Sequence, residues 1–229
     1  MPVNRIKELL TPLILYAPPQ YHPDTILSVN KKTGCSIDLP ITGHCRPTAS
    51  CSKACYAKSG PIAFPHSQKK HLWTSAYLAG PDISELITEC RSRTSVRICG
   101  SGDLNPCHIP NILKLAKACP QTQFWGMTRK LEIARAINKP RRRNLRLLVT
   151  VDATSPAETW SYKGKLCYGP RRASDTVPDD PRIVTVFPYH CHGEVVAHVP
   201  EHKKDCPAIR HTKSGCLDCG HCWTFQTKG

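Results

Sequence analysis

The sequence predicts an α/β protein built on parallel strands, as a sheet or a βα barrel, and three observations predict it. Short apolar runs rich in β-branched residues recur along the chain. The middle ones are each followed by a segment with apolar residues at helical spacing. Polar residues collect just after the strands, where parallel α/β folds place their sites. At 229 residues the chain suits one domain with appendages, long enough to bury a core without staples. No internal repeat or low-complexity tract is present.

Taken in order, residues 1–34 read as an N-terminal extension: a short helix, NRIKELL, a Pro-rich link, APPQYHP, and a strand around 26–29. NKKTG is a polar turn, and the isolated Cys35 after it reads as an inert apolar thiol. Residues 35–200 form the core, interrupted by a Cys-rich loop at 44–60. A helix is predicted over 67–78 with Leu72, Ala76 and Ala79 near one face, ended by Gly80-Pro81. Asp82 is an N-cap candidate for the next helix, whose Ile83, Leu86, Ile87 and Cys90 fall on one side.

SVRIC (95–99) is a strand followed by GSGD, and a helix over 108–118 presents Ile109, Ile112, Leu113 and Ala116. QFWGM (123–127) is a strand, TRK a turn and LEIARAI a helix. LRLLVTV (145–151) and RIVTVF (182–187) read as strands covered on both faces. Arg141, Arg142 and Arg143 make a solvated turn or touch phosphate. Residues 161–181 read as an ordered excursion or lid. The strand-end loops are then GSGD, TRK, DATS and YHCHGE; Asp103, Thr128 and Ser155 could cap helices there, but four such loops on one face favour a site.

Fourteen cysteines are far more than an ordinary intracellular protein carries. The first residues contain a short apolar run broken by Pro12, no small-residue cleavage pattern and nothing of membrane-spanning length. A cytoplasmic protein with reduced thiols, and no membrane, is therefore expected, and clustered reduced thiols point to metal rather than disulfides. Cys45, Cys51 and Cys55 share a loop of small, polar and basic residues that is poor core material. Residues 201–229 form a C-terminal Cys-rich metal-binding segment with Cys206-Pro207, Cys216, Cys219 and Cys222. Three close thiols plus a remote Cys beside Pro suit an iron–sulfur cubane. Zinc is the alternative there, with His211 or His221 able to replace a thiol.

The first group has three thiols and no evident fourth, so a 4Fe-4S cluster there would leave one iron open; His44 could instead complete a zinc site or a closed cluster. His190, Cys191 and His192 have metal-like composition but alternate in direction along a strand end, and read first as substrate-facing. The net charge of +15, from 32 Lys and Arg against 17 Asp and Glu, points to nucleic acid or a phosphorylated substrate, or to plain solvation partly offset by bound clusters.

LSVNKKTG, GHCRPTASCSKACYA, VRICGSGDL, FWGMTRK, LRLLVTVDATS and the terminal CLDCGHCW together resemble the phage gene product 88-like family, over residues 27–223. That family is similar to a compact relative of radical S-adenosylmethionine (SAM) enzymes, which hold a 4Fe-4S cluster by three cysteines in a loop of a βα barrel. The resemblance implies a compact partial βα barrel, a small-molecule cofactor, SAM, and, for a phage protein, the host cytoplasm. It implies that Cys45, Cys51 and Cys55 are cluster ligands, in a loop spaced x5 then x3 where radical SAM enzymes use x3 then x2. Gly100, Ser101, Gly102 and Asp103 would lie where the methionine amino group is held. Asp152 and Ser155 would face the ribose or carboxylate side, with Thr128 in the loop between.

Two classes of function follow: a radical SAM-like enzyme with a second, C-terminal cluster, or a non-enzymatic zinc or iron–sulfur module that binds nucleic acid. The gathered strand-end loops favour the enzyme, and the net charge favours the binder. No catalytic residue is named by the sequence.

Overall fold

A computed structural model describes residues 21–30, 33–171, 175–188, 204–205, 216–219 and 222. Eight strands form one sheet in sequential order, β1 (Ser28–Asn30), β2 (Gly34–Ile37), β3 (Ser95–Ile98), β4 (Gln123–Thr128), β5 (Leu145–Val151), β6 (Leu166–Arg171), β7 (Ile183–Pro188) and β8 (Lys204–Asp205). β1 and β2 pair antiparallel, Ser28 opposite Ser36, and every later neighbour is parallel. Sequential parallel order needs a crossover between strands, and helices supply it at the middle connections. Among the described residues no ladder joins β8 back to β1.

The helices are α1 (Ala49–Lys53), α2 (Pro65–Ala79), α3 (Ser84–Arg91), α4 (Ile109–Ala118), α5 (Leu131–Asn138), α6 (Ala157–Trp160) and α7 (Cys216–Cys219). Val96, Ile98, Phe124 and Leu147 pack with Leu86, Ile112, Leu115 and Ile137 of the helices, so these strand positions face the helical layer. Val149, Val151, Leu166 and Val186 make a second cluster with Ala134 of α5. Because side chains alternate, the row Ser36, Arg97, Trp125, Arg146 lies on the opposite face, in register across β2 to β5. One face is thus a conventional apolar core, and the other carries two arginines and an indole.

The mixed α/β class and the strands at 95–99, 123–127 and 145–151 agree with the sequence. Three local readings change. The strand predicted near 26–29 is at Ser28–Asn30, and Cys35 is in its own strand, β2, paired antiparallel with β1. The stretch 161–181 contains β6, whose Leu166, Cys167 and Tyr168 are buried, so it is no simple excursion. α2 buries His71, Thr74, Ser75 and Leu78, a different face from that of Leu72, Ala76 and Ala79. A polar site beneath α2 overrides its apolar spacing. The predicted helix NRIKELL and the YHCHGE loop lie outside the described residues.

Candidate functional site

The Cys-rich loop leaves the end of β2, the first parallel strand, and crosses the carboxyl ends of β3 to β5. Leu39 N–H donates to Ser101 O at 3.0 Å and Gly100 N–H to Ile37 O at 3.3 Å, continuing the β2–β3 association past the strands. This close approach explains both glycines of GSGD. A Cβ on Gly100 would lie 2.2 Å from Asp38 Oδ1; on Gly102, which has φ +69, it would lie 2.3 Å from Leu39 O.

Asp103 ties the β3 loop to the β4 loop. Its Oδ1 accepts from Thr128 Oγ1 at 2.7 Å and Leu104 N at 2.8 Å, and its Oδ2 accepts from Arg129 N at 3.2 Å. Burial raises its pKa above the ordinary carboxylate value, while the Thr128 hydroxyl and the Lys130 charge act against that rise. Asp152, with no exposed surface, ties the β5 loop to the Cys-rich loop. Thr48 Oγ1 donates to its Oδ2, Arg129 Nη1 lies 2.9 Å from the same oxygen, and Thr154 N and Oγ1 donate to Oδ1 at 2.8 and 2.9 Å. Ser155 Oγ accepts from Asp152 N at 2.8 Å, and Ser50 N donates to Thr154 Oγ1 at 3.1 Å. The predicted cofactor-binding residues therefore gather in two bonded pairs, Asp103 with Thr128 and Asp152 with Ser155, bridged by Arg129. Ser101 is buried, and its hydroxyl has no hydrogen-bond partner among the described residues.

Thr48 also accepts from Cys51 N at 3.1 Å, capping α1 and fixing the second thiol. Cys55 precedes the 3-10 turn Tyr56–Lys58, and the Tyr56 hydroxyl donates to Gly100 O. Cys45, Cys51 and Cys55 are each partly exposed, and no side chain among the described residues hydrogen-bonds their sulfurs. The Cys45 thiol is pushed up to about 12 by burial first, and then by the negative charges of Asp103, Cys51 and Cys55. Cys99, with φ 59, lies behind them and directs its Sγ to Asp103 Oδ1 at 4.0 Å.

Sequence reasoning missed four residues that hold this arrangement. Arg129 reaches Asp152 and Gly169 O, the latter at 2.7 Å. Lys130, 4% exposed, donates to Leu104 O and Asn105 Oδ1, both at 2.7 Å; burial lowers its pKa, and Asp103 and Cys45 raise it. Ser75 joins His44 and His108, with His44 Nε2 at 2.8 Å and His108 Nε2 at 3.2 Å. His44 is thereby committed to a hydroxyl bond on its Nε2. The available signal was weak: two cations directly after a buried strand and a run of polar residues on one helix face.

A cleft of ≈ 410 Å³ opens beside the loop, lined by Arg46 to Thr48, Arg129, Arg135, Thr150, Thr154 and Ser155 among others. Its size falls in the range of small-molecule sites. The match that places this chain is to the family model of gene product 88, over residues 20–224. The chain belongs to the gene product 88 family. No curated protein and no solved structure matches it.

In this gene product 88 protein burial acts against the charge of Arg97, while Tyr56, Cys216, Asp38 and Cys222 favour it, so Cys216 and Cys222 lie within electrostatic reach of that side chain. Cys206, His211, His221 and the His190, Cys191, His192 triplet lie outside the described residues. Among the described residues no three His, Cys, Asp or Glu side chains are placed to hold a single metal ion. A cubane asks for something different, because each ligand sulfur meets its own iron. Cys45, Cys51 and Cys55 are free and partly exposed. The described helices include none long and apolar enough to cross a membrane.

Proposed function

We propose that this protein is an iron–sulfur enzyme of radical SAM type, with a partial βα barrel as its scaffold. Cys45, Cys51 and Cys55 would hold a 4Fe-4S cluster, and Cys206, Cys216, Cys219 and Cys222 a second cluster or zinc. Such a cluster would supply the reducing electron for SAM chemistry. The chain's own residues would do the rest. Thr48 and Ser50 fasten the loop to Asp152 and Thr154, holding the thiols against the carboxyl ends of the strands. The five residues between Cys45 and Cys51 include this brace, which gives the longer spacing a structural use.

The cleft beside Thr48 and Ser155 would receive the cofactor, with Arg129 at hand for a carboxylate. Asp103 Oδ2 accepts one protein donor and keeps a lone pair for an amino group. The single observation that carries this reading is the direct fastening of the three-thiol loop to the β5 loop through Thr48 and Asp152.

Adding SAM to the reduced, anaerobically purified protein tests it. The reading predicts a changed cluster EPR spectrum and a weaker change in Asp103→Asn. An iron cluster whose spectrum does not respond to SAM would remove the SAM chemistry.

A further inference from the structure

We propose that the substrate this site takes is a nucleic-acid strand, its phosphates running along the exposed face of α5 to the mouth of the cleft. The inference rests on the site reading above for the meaning of "substrate", but the docking surface is argued independently of any metal. α5 buries Ile133, Ala134 and Ile137 and exposes Glu132, Arg135 and, at its end, Lys139. Spaced by three and four residues, these last three share one face. Glu132 and Arg135 also line the cleft, so the face begins at its mouth.

The one acid on this face, Glu132, is already paired with Arg46 at 2.8 Å. Past the helix the chain turns through Arg141, at φ 47 with its N–H on Asn138 O, and exposes Arg141 and Arg143. The side chains of Arg135, Lys139, Arg141 and Arg143 make no hydrogen bond or ion pair among the described residues. Four uncompensated cations therefore follow one another from the cleft, with Arg135 and Lys139 roughly 6 Å apart along the helix and two arginines in the turn beyond.

The plainer account is that cations near a helix C-terminus favour its dipole and solubility. That account covers Arg135 in the last turn and Lys139 just past it, but not the exposed Arg141 and Arg143 beyond the helix. It also leaves the neutralisation of the single acid unexplained. A regular row of phosphates complements such a ridge, and the chain's overall +15 adds long-range attraction. In the reading above the cleft itself takes the cofactor, so the strand is held by its phosphates on the ridge and meets the site at the cleft's mouth.

The test is fluorescence anisotropy of a labelled single-stranded oligonucleotide across a salt series, on the full metal-loaded chain. Arg135→Glu, Lys139→Glu and Arg141→Glu are combined in one variant. The control moves the same charge elsewhere, with Arg91→Glu, Lys114→Glu and Lys117→Glu on exposed positions of α3 and α4. The ridge variant should bind at least about tenfold more weakly, with its salt slope shallower by roughly 2, and the control should stay close to wild type. A milder version with Gln at the ridge positions should weaken binding in the same direction, separating docking from misfolding.

Absence of binding, equal weakening in both charge variants, or displacement by polyphosphate as efficient as by unlabelled oligonucleotide would overturn the proposal. Cys51→Ala with Cys55→Ala should leave ridge binding intact. Failure of the cluster and failure of the docking surface are thus read in separate measurements.

Discussion

The protons between His108 and His44 can be placed from their partners alone. Asn105 N–H donates to His108 Nδ1 at 3.1 Å, so the neutral ring carries its proton on Nε2 and donates to Ser75 Oγ. The Ser75 hydroxyl is then free to donate to His44 Nε2, whose Nδ1–H faces Thr42 O at 3.3 Å. A second proton on either ring would set donor against donor. Burial, reinforced by the charges of His44 and Lys130, pushes His108 down to about 3 from an ordinary 6.5. Because the unfolded chain binds the proton more readily, stability is fully present above pH 6.5 and is lost as pH falls toward 3, at up to about 1.4 kcal/mol per pH unit. Chemical denaturation across this window should show a shallower pH slope in His108→Gln than in wild type; an unchanged slope would place the titration elsewhere. None of this was legible beforehand, because His44, Ser75 and His108 are remote in sequence and become neighbours only through packing. Asp103 and Asp152 were legible as site residues, being acids at strand ends, but their use as braces depends on Thr48, Thr128 and Arg129 arriving from other loops.

Among the elements, α1 is the shortest connection between sequence pattern and site. Thr48 caps it and also donates to the buried Asp152, so one hydroxyl orders both the helix start and the strand-end loop. Thr48→Ala should lower stability by about 1–3 kcal/mol, combining a lost cap with a buried carboxylate short of a donor, while Thr48→Ser should restore most of it. Equal melting temperatures for Thr48→Ala and wild type would contradict the bracing role. The strands β3, β4 and β5 and helices α3, α4 and α5 were readable because each is long enough to show its period against a regular core. β2, no shorter than β3, was hidden by Cys35, Ser36 and a polar turn. β6 was hidden because LCYGPR contains Gly and Pro, which read as irregular chain. α2 was found but turned to the wrong face, since its buried side includes His71, Thr74 and Ser75, serving polar partners instead of the apolar core.

For the whole molecule, the sequential parallel sheet sets the Cys-rich loop after the first parallel strand, GSGD after the next and DATS after β5, all at carboxyl ends. The alternation of strands and helices in the sequence already implied that arrangement. What the sequence could not show is that Cys216 and Cys222 come within electrostatic reach of Arg97 on β3, more than a hundred positions earlier in the chain. The twelve described cysteines are all free, leaving both groups chemically open to metal. The central claim is that the first group is an iron–sulfur site in its own right. Iron and acid-labile sulfide are to be measured on anaerobically purified wild type and on Cys51→Ala with Cys55→Ala. The account predicts brown wild-type protein with both elements, and loss of one cluster's worth of iron and sulfide in the double variant while the terminal metal stays. Stoichiometric zinc without iron in the wild type, or iron unchanged by the double substitution, would contradict it.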